Sequence, residues 1–515
     1  MALTFCLFGC PEPSTDWDRR LLSEAGDPSD NVGMNSSIAV DPTGRIHISY
    51  QEYTVGKYWT RYLKREGTDW SSWAYVDESS ATAGPGTRIA VGNSKVYVSS
   101  VLKGDDCSDS ESIDCLPDPF SPTGDLVLSS RNLDEPVPEL PVWPNQASSV
   151  LDERSNGEWT SLLIEPSGRR HLAYYDSSNH GRIRYKKKEV NGDWTTETVA
   201  EPGCVFGCFP KIKPYTAMTF GDNAVHLLYK DEYRASNFST DLTQRIRYAK
   251  RSPDVGVWTK TTVVEAEDEE HEFGEKMDIT IDSGGVLHIC YFDKTARVMR
   301  YVKKNENSFS SPVALANFSF DVLDGCEIEV LGQKVFIIGR ANPKLNANEE
   351  LEPVLVVASR GLNSTGSWSF GIVDSGESVF GFGSNQKRTF SATVVSDRLH
   401  LAYEVCGAGG CEETDLKYAC YPAPCLLETD PTPLMTPDSS TPSVDQPVVE
   451  AVLETTDLSD GEENSLSDED LTPEESAASI EELPEPTPSS SAAPKEGIPG
   501  VNVETVSLGG CSLVR

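Results

Sequence analysis

The chain has 515 residues, 81 of them Asp or Glu against 44 Lys or Arg, for a formal net charge of -37. That balance argues against nucleic acid and anionic membrane surfaces, since both select basic patches. No apolar run is long enough to span a bilayer. Aromatic and β-branched residues are frequent, 39 Gly and 33 Pro punctuate the sequence, and no long segment keeps a helical period, so the reading is all-β.

Residues 1–15 read as a truncated lipoprotein-type signal and tether. Leu7-Phe8-Gly9-Cys10 resembles the lipobox of bacterial lipoproteins, with Cys10 as the lipid-attachment residue, although no basic segment precedes the short apolar run.

From residue 16 to 425 one pattern recurs. Its most regular part is Ile46-His47-Ile48-Ser49-Tyr50, matched by Val96-Tyr97-Val98, Arg170-His171-Leu172-Ala173-Tyr174, Val225-His226-Leu227-Leu228-Tyr229, Leu287-His288-Ile289-Cys290-Tyr291, Val335-Phe336-Ile337 and Leu399-His400-Leu401-Ala402-Tyr403. These seven copies start 48 to 74 residues apart, a period that suits propeller blades with variable loops. Each follows an apolar run and a tight turn, such as Asp41-Pro-Thr-Gly44, Glu165-Pro-Ser-Gly168 or Asp282-Ser-Gly-Gly285. A third run follows, often Arg-Tyr (Arg61-Tyr62, Arg184-Tyr185, Arg247-Tyr248, Arg300-Tyr301). A fourth opens with an aromatic: Trp70, Trp143, Trp194, Trp258, Phe309 or Trp368. The seventh copy lacks that fourth run, and Trp17-Asp-Arg-Arg-Leu-Leu22 at the other end supplies it. The expected fold is therefore a seven-bladed β-propeller of four-stranded blades, closed by an N-terminal strand that removes exposed edges.

This pattern of turn acid, His, Tyr, Arg-Tyr and Trp resembles the sialidase-like (BNR-type) repeats of bacterial exported propellers. The resemblance implies the fold. It implies little chemistry, because that group spans glycosidases, polysaccharide lyases and pure binding modules. The turns Glu66-Gly-Thr-Asp-Trp70, Asn191-Gly-Asp-Trp194 and Val255-Gly-Val-Trp258 lack the Ser/Thr frame of true sialidase boxes.

Four repeats place an acid five residues after the His (Glu52, Asp176, Asp231, Asp293). A His beside a carboxylate could be a general base pair, but a unit repeated around a ring sets equivalent groups apart, so a hydrogen-bonded histidine inside each blade is expected. Insertions fall after second strands (103–123, 232–244, 340–352, 406–415) and before first strands (201–214, 265–276, 375–387), which places them on one face, the expected binding surface. Arg88, Trp159, Tyr215, Lys276, Glu327 and Arg388, near the starts of the innermost strands, are expected to rim the channel and contact ligand. No cofactor is expected; the metal readings are calcium on the acidic loop carrying Asp105, Asp106 and Asp109, and a four-thiolate site on Cys406 to Cys425, whose C-x4-C spacings are not those of a zinc knuckle.

The close pairs Cys107/Cys115, Cys204/Cys208, Cys406/Cys411 and Cys420/Cys425 suit small loop-closing disulfides in an oxidising compartment. Cys290 and Cys326 read equally as a pair across neighbouring repeats or as buried thiols. From Glu428 onwards the chain holds 20 acidic and two basic residues, and residues 426–508 read as a disordered Pro/Ser/Thr/Glu-rich stalk. Gly509-Gly510-Cys511-Ser512 resembles the head of bacterial C-terminal sorting signals, so residues 509–515 read as a remnant of one.

Together these features lead to a surface-tethered or secreted, non-catalytic propeller that binds a glycan or an extracellular protein through its loop-rich face. The alternative is an exported polysaccharide-active lyase or glycosidase with its site at the channel mouth. Membrane contact is expected only through a lipid or C-terminal anchor, nucleic acid is not a partner, and the chain is expected to be a monomer.

Overall fold

A computed structural model describes residues 17–23, 31–54, 57–67, 69–71, 73–76, 83–92, 94–102, 125–136, 143, 148–152, 159–177, 181–202, 211–233, 242–252, 256–268, 270–305, 308–315, 320–343, 354–374, 390–395, 397–407, 410–423, 507–508 and 511–512. Among them there is no helix, and so none long and apolar enough to cross a membrane. The chain divides into two compact units, Met1–Pro437 and Asp438–Arg515.

In the first unit a lone strand, β1 (Asp18–Ser23), precedes the repeats. The first repeat forms β2 (Asn31–Val40), β3 (Ile46–Thr54), β4 (Lys57–Glu66) and a fourth strand split into β5 (Asp69–Trp70) and β6 (Ala74–Tyr75). The second forms β7 (Ala83–Val91), β8 (Lys95–Leu102), β9 (Asp125–Asn132) and β10 (Ser148–Asp152). The third forms β11 (Ser161–Ile164), β12 (Arg170–Asp176), β13 (Arg182–Lys188) and β14 (Trp194–Ala200). The fourth forms β15 (Lys211–Gly221), β16 (Ala224–Tyr233), β17 (Thr243–Arg251) and β18 (Trp258–Glu265).

The fifth repeat forms β19 (Phe273–Ile281), β20 (Leu287–Asp293), β21 (Val298–Asn305) and a split β22 (Ser308–Phe309) and β23 (Val313–Leu315). The sixth forms β24 (Phe320–Leu331), β25 (Lys334–Pro343), β26 (Val354–Gly361) and β27 (Ser369–Asp374). The seventh forms β28 (Phe390–Val395), β29 (Arg398–Gly407) and β30 (Gly410–Tyr421). Its outer place is taken by β1, antiparallel to β30 with Asp18 opposite Cys420. Within every repeat consecutive strands are antiparallel neighbours, and a single parallel pair, Asn31 with Thr414, joins the seventh sheet to the first. The first strands pack in succession: β2 on β7, β7 on β11, β11 on β15, β15 on β19, β19 on β24, β24 on β28 and β28 on β2. The fold is all-β and propeller-like. In the second unit the described residues form a hairpin, β31 (Ser507–Leu508) with β32 (Cys511–Ser512).

The repeated residues explain why each meander folds. In the first turn Asp41 Oδ1 accepts from the Thr43 and Arg45 amides at 2.8 and 2.9 Å, and Asp282 does the same for Gly284 and Val286 at 2.9 Å. Gly44 and Gly285 sit at φ +86° and +77°, a conformation that glycine adopts without strain. The turn acid then meets the repeat histidine, as in Glu165 with His171 Nε2 at 2.7 Å and Asp282 with His288 Nε2 at 3.1 Å. The other ring nitrogen of each histidine meets the hydroxyl of the Arg-Tyr or Lys-Tyr tyrosine: His47 with Tyr62, His171 with Tyr185, His226 with Tyr248, His288 with Tyr301 and His400 with Tyr418, all at 2.5–2.8 Å. Burial holds all five imidazoles below their ordinary value, His171, His226 and His400 down to about 4. The acids five residues on do not reach these rings. They pair with third-strand arginines: Glu52 with Arg61, Asp176 with Arg184, Asp231 with Arg245 and Asp293 with Arg300.

Each tyrosine is also the seam to the next repeat. Trp143, Trp258, Phe309, Trp368 and Trp70 stand edge-on to Tyr62, Tyr185, Tyr248, Tyr301 and Tyr418, with centroids 5.0–5.5 Å apart. A cation of the same repeat lies over four of those rings: Arg251 on Tyr185, Lys304 on Tyr248, Arg360 on Tyr301 and Arg65 on Tyr418, at 5.2–5.8 Å. Trp70 and Arg65 belong to the first repeat and Tyr418 to the seventh, so the pattern runs on from the last repeat to the first. Trp143 takes its place without opening a strand: its amide donates to the Tyr75 carbonyl at 2.9 Å, and β10 begins five residues later.

The sixth repeat has neither the His nor the Tyr. It is tied to the fifth by a disulfide between Cys290 on β20 and Cys326 on β24, with Cα atoms 6.0 Å apart, which resolves the two readings of those cysteines. Cys420 is also disulfide-bonded. Cys10, Cys107, Cys115, Cys204, Cys208 and Cys425, together with the side chains of Cys406 and Cys411, lie outside the described residues.

The hydroxyl and ring contributions of one seam separate by mutation. Tyr185→Phe keeps the ring against Trp258 and leaves His171 short of a partner, so it is expected to cost about 1–3 kcal/mol. Trp258→Ala opens the seam and is expected to cost about 3–5 kcal/mol. Urea unfolding of the two variants measures both, and an unchanged midpoint for Tyr185→Phe removes the hydroxyl from this account.

Candidate functional site

The strand registers align the repeats at their centre. The residue two past the His position on each second strand lies opposite Ser37, Arg88, Ser161, Ala217, Asp278, Glu327 and Ser391 on the seven first strands. Four repeats place Ser or Ala there. The second, fifth and sixth place Arg88, Asp278 and Glu327.

This position carries a stitch between neighbours. Ser37 Oγ accepts the Ile89 amide of the second repeat at 3.2 Å. Asp278 Oδ2 accepts the Ile328 amide of the sixth at 2.9 Å, and the Glu327 carboxylate accepts the Ala392 amide of the seventh. Arg88 Nε donates to the Thr160 carbonyl of the third at 3.2 Å. A hydroxyl suffices for such a bond, as Ser37 demonstrates. An enclosed carboxylate makes it at a desolvation cost that a serine does not carry, so the stitch alone does not account for the charged residues.

The three charged residues act on one another. Burial, reinforced by the charge of Asp278, pushes the Glu327 carboxyl up to about 8, against the pull of Arg88 and Lys276. Burial raises Asp278 to about 6, while the Ile328 and Ile279 amides and Arg88 hold it down. Glu329, two residues along the same face of β24, is driven well above the ordinary range by burial and by both neighbouring acids. On β29, burial brings Glu404 up to about 7 against a Thr414 hydrogen bond and the charges of Arg340 and Lys276. Both carboxyls are thus pushed upward, Glu327 further than Asp278, a separation of the kind that acid–base chemistry uses.

The expected rim residues fall into two layers. Arg88 and Glu327 occupy the aligned position and stay partly exposed. Trp159, Tyr215 and Lys276 each lie two residues before it, only 5%, 2% and 5% exposed. The Trp159 ring packs 4.8 Å from Tyr215, the Tyr215 hydroxyl donates to Glu275 Oε2 at 2.5 Å, and Lys276 Nζ sits 4.5 Å from the Phe390 ring centre. Neither aromatic offers an open face to a sugar ring. Arg388, Asp105, Asp106 and Asp109 lie outside the described residues. Among the described residues no group of three or more His, Cys, Asp or Glu side chains is arranged to hold a metal ion. The sequence reading missed Asp278, Glu329 and Glu404; aligning the repeats on the His position and asking where Ser or Ala gives way to charge would have found Asp278.

No protein-family model matches the sequence, and no curated protein matches it. Among solved structures the chain is similar to a polysaccharide lyase that cleaves ulvan, with 11% identity, a TM-score of 0.48, and coverage of 76% of this chain and 97% of that one. It is similar to the α-L-arabinanase of Penicillium chrysogenum (10% identity, TM-score 0.41, 68% and 99% covered) and to the sialidase of Trypanosoma rangeli (10%, 0.37, 76% and 55%). At such identities the likeness bears on nothing beyond the fold.

The raised carboxyls make stability depend on pH. A carboxyl whose folded value lies above its ordinary value near 4.5 stabilises the fold below that value and loses this contribution as pH rises through the folded one. Glu327→Gln is therefore expected to leave stability at pH 4.5 nearly unchanged. It is expected to raise stability at pH 8.5 by on the order of 2 kcal/mol relative to the parent chain. Thermal melts of both proteins across this range check it, and parallel profiles would refute the placement of Glu327.

Proposed function

We propose that this chain is an exported polysaccharide-active enzyme whose seven repeats close as a seven-bladed propeller around the Arg88–Asp278–Glu327 cluster. The ring is supported by the succession of first-strand contacts from β2 round to β28 and back, by the Trp70–Tyr418 seam and by β1 on β30. Export is supported by the Cys290–Cys326 disulfide, a bond of oxidising compartments.

The observation that carries the enzymatic reading is the replacement of Ser or Ala by two acids and an arginine at one equivalent position, with the acids held at separate proton affinities. In this reading Glu327 donates its proton to the departing glycosidic oxygen. Ionised Asp278 acts as the partner base or nucleophile, and Arg88 steadies negative charge as it develops. A binding module needs none of this tuning, so the weight moves from the non-catalytic reading to the catalytic one.

A panel of neutral, uronic and sulfated polysaccharides tests it. New reducing ends alone would indicate hydrolysis, and unsaturated ends elimination. Asp278→Asn and Glu327→Gln are expected to slow either by at least about 100-fold with the near-ultraviolet circular dichroism retained. Glycan binding without products, unchanged in both variants, would return the chain to the class of binding modules.

A further inference from the structure

Lys276 is a buried ammonium in an unusual seat. It lies on β19, two residues before Asp278, and is 5% exposed. Its Nζ stands 4.5 Å from the centre of the Phe390 ring, contributed by β28. That ring in turn occupies space that a side chain at residue 325 would fill: a Cβ on Gly325 would come within 2.4 Å of Phe390 Cζ and 3.7 Å of Lys276 Cδ. Gly325 adopts φ +88°, a conformation that L side chains rarely take. Three repeats thus cooperate to seat one cation: the sixth withholds a side chain, the seventh fills the gap with a ring, and the fifth lays its lysine on that ring.

We propose that Lys276 is the positioning residue of the central site: pinned on Phe390 above the side-chain-free Gly325, it holds one positive charge shared between Glu327 and Glu404. The two acids come from different strands, β24 and β29, and the charge of Lys276 draws both toward ionisation. The other charged groups acting on them are Asp278, Arg88 and Glu329 at Glu327 and Arg340 at Glu404; Thr414 hydrogen-bonds Glu404. A flexible lysine in water would share its charge with many groups. One stacked on an aromatic ring and stripped of solvent acts on fixed neighbours at reduced dielectric. The inference rests on the catalytic reading only for its consequence, since Lys276 then sets which acid gives up its proton first.

The test reads protonation directly and needs no substrate. Infrared spectra of the protonated carboxyl band are followed from about pH 5 to pH 9 in the full chain, with Glu327→Gln and Glu404→Gln assigning the two midpoints. Lys276→Met is expected to move both midpoints upward by about one unit or more, and Lys276→Arg to restore them. A folded Lys276→Met chain with unmoved midpoints overturns the proposal, as does movement of only one of them. Should Lys276→Met fail to fold, Phe390→Leu withdraws the ring while keeping apolar volume; an upward shift of both midpoints supports the proposal and unmoved midpoints overturn it. Because these readouts precede any catalysis, failure here is distinct from failure to find a cleaved polysaccharide.

Discussion

The tyrosine hydroxyl that meets a buried histidine is the contact on which this architecture depends. Each of the five links levels of organisation at once: its ring is a core residue, its hydroxyl meets an imidazole that in three repeats is held in turn by an acid, and its edge receives an aromatic from the following repeat, joined on four of the rings by a cation. A meander of four short strands buries too little apolar surface to stand alone. The seam supplies what the single sheet lacks, and the tyrosine hydroxyls engage the buried imidazoles, so a polar network inside the sheets rigidifies them. The sixth repeat clarifies the rule by breaking it. With Phe336 where histidine would be, it offers no such tyrosine to the seventh repeat, while its boundary with the fifth carries both the Tyr301–Trp368 seam and a covalent link through Cys326.

The strands were legible because their determinants are local. Alternating apolar residues, turn acids and glycines at fixed offsets mark each hairpin, and a tryptophan spaced after an Arg-Tyr pair marks the fourth strand. The role of the repeat histidines was legible too, since a residue that recurs in five repeats is explained by what the repeats share. The fourth strand of the second repeat was less so: Trp143 keeps its place in the seam while the strand starts only at Ser148, so packing and pairing fall to different residues there.

The centre was only half legible. Arg88 and Glu327 could be picked out as charges near the starts of first strands, but Trp159 and Tyr215 were judged by residue type, and their burial against each other is a fact of packing between repeats that no single repeat encodes. Asp278 and Glu404 escaped notice because each sits in an ordinary-looking strand. What sets them apart is long-range: the company of acids and cations brought in from strands distant in sequence. Proton affinity is a property of that assembly and is not written in any window of the chain.

The pairing of β1 with β30 has a consequence for how the molecule can be connected. With Asp18 on β1 facing Cys420 on β30, the polypeptide enters and leaves this region at adjacent points. A pull applied between these two points opens a single pair of strands from one end, bond by bond, while sparing the rest. The order of the repeats along the chain is then partly arbitrary: the same sheets would assemble from a circularly permuted gene opened at the Asp41 or Asp282 turn and joined across the old ends. Such a gene would place the Glu327 sheet nearer the beginning or the end of synthesis without altering what surrounds it.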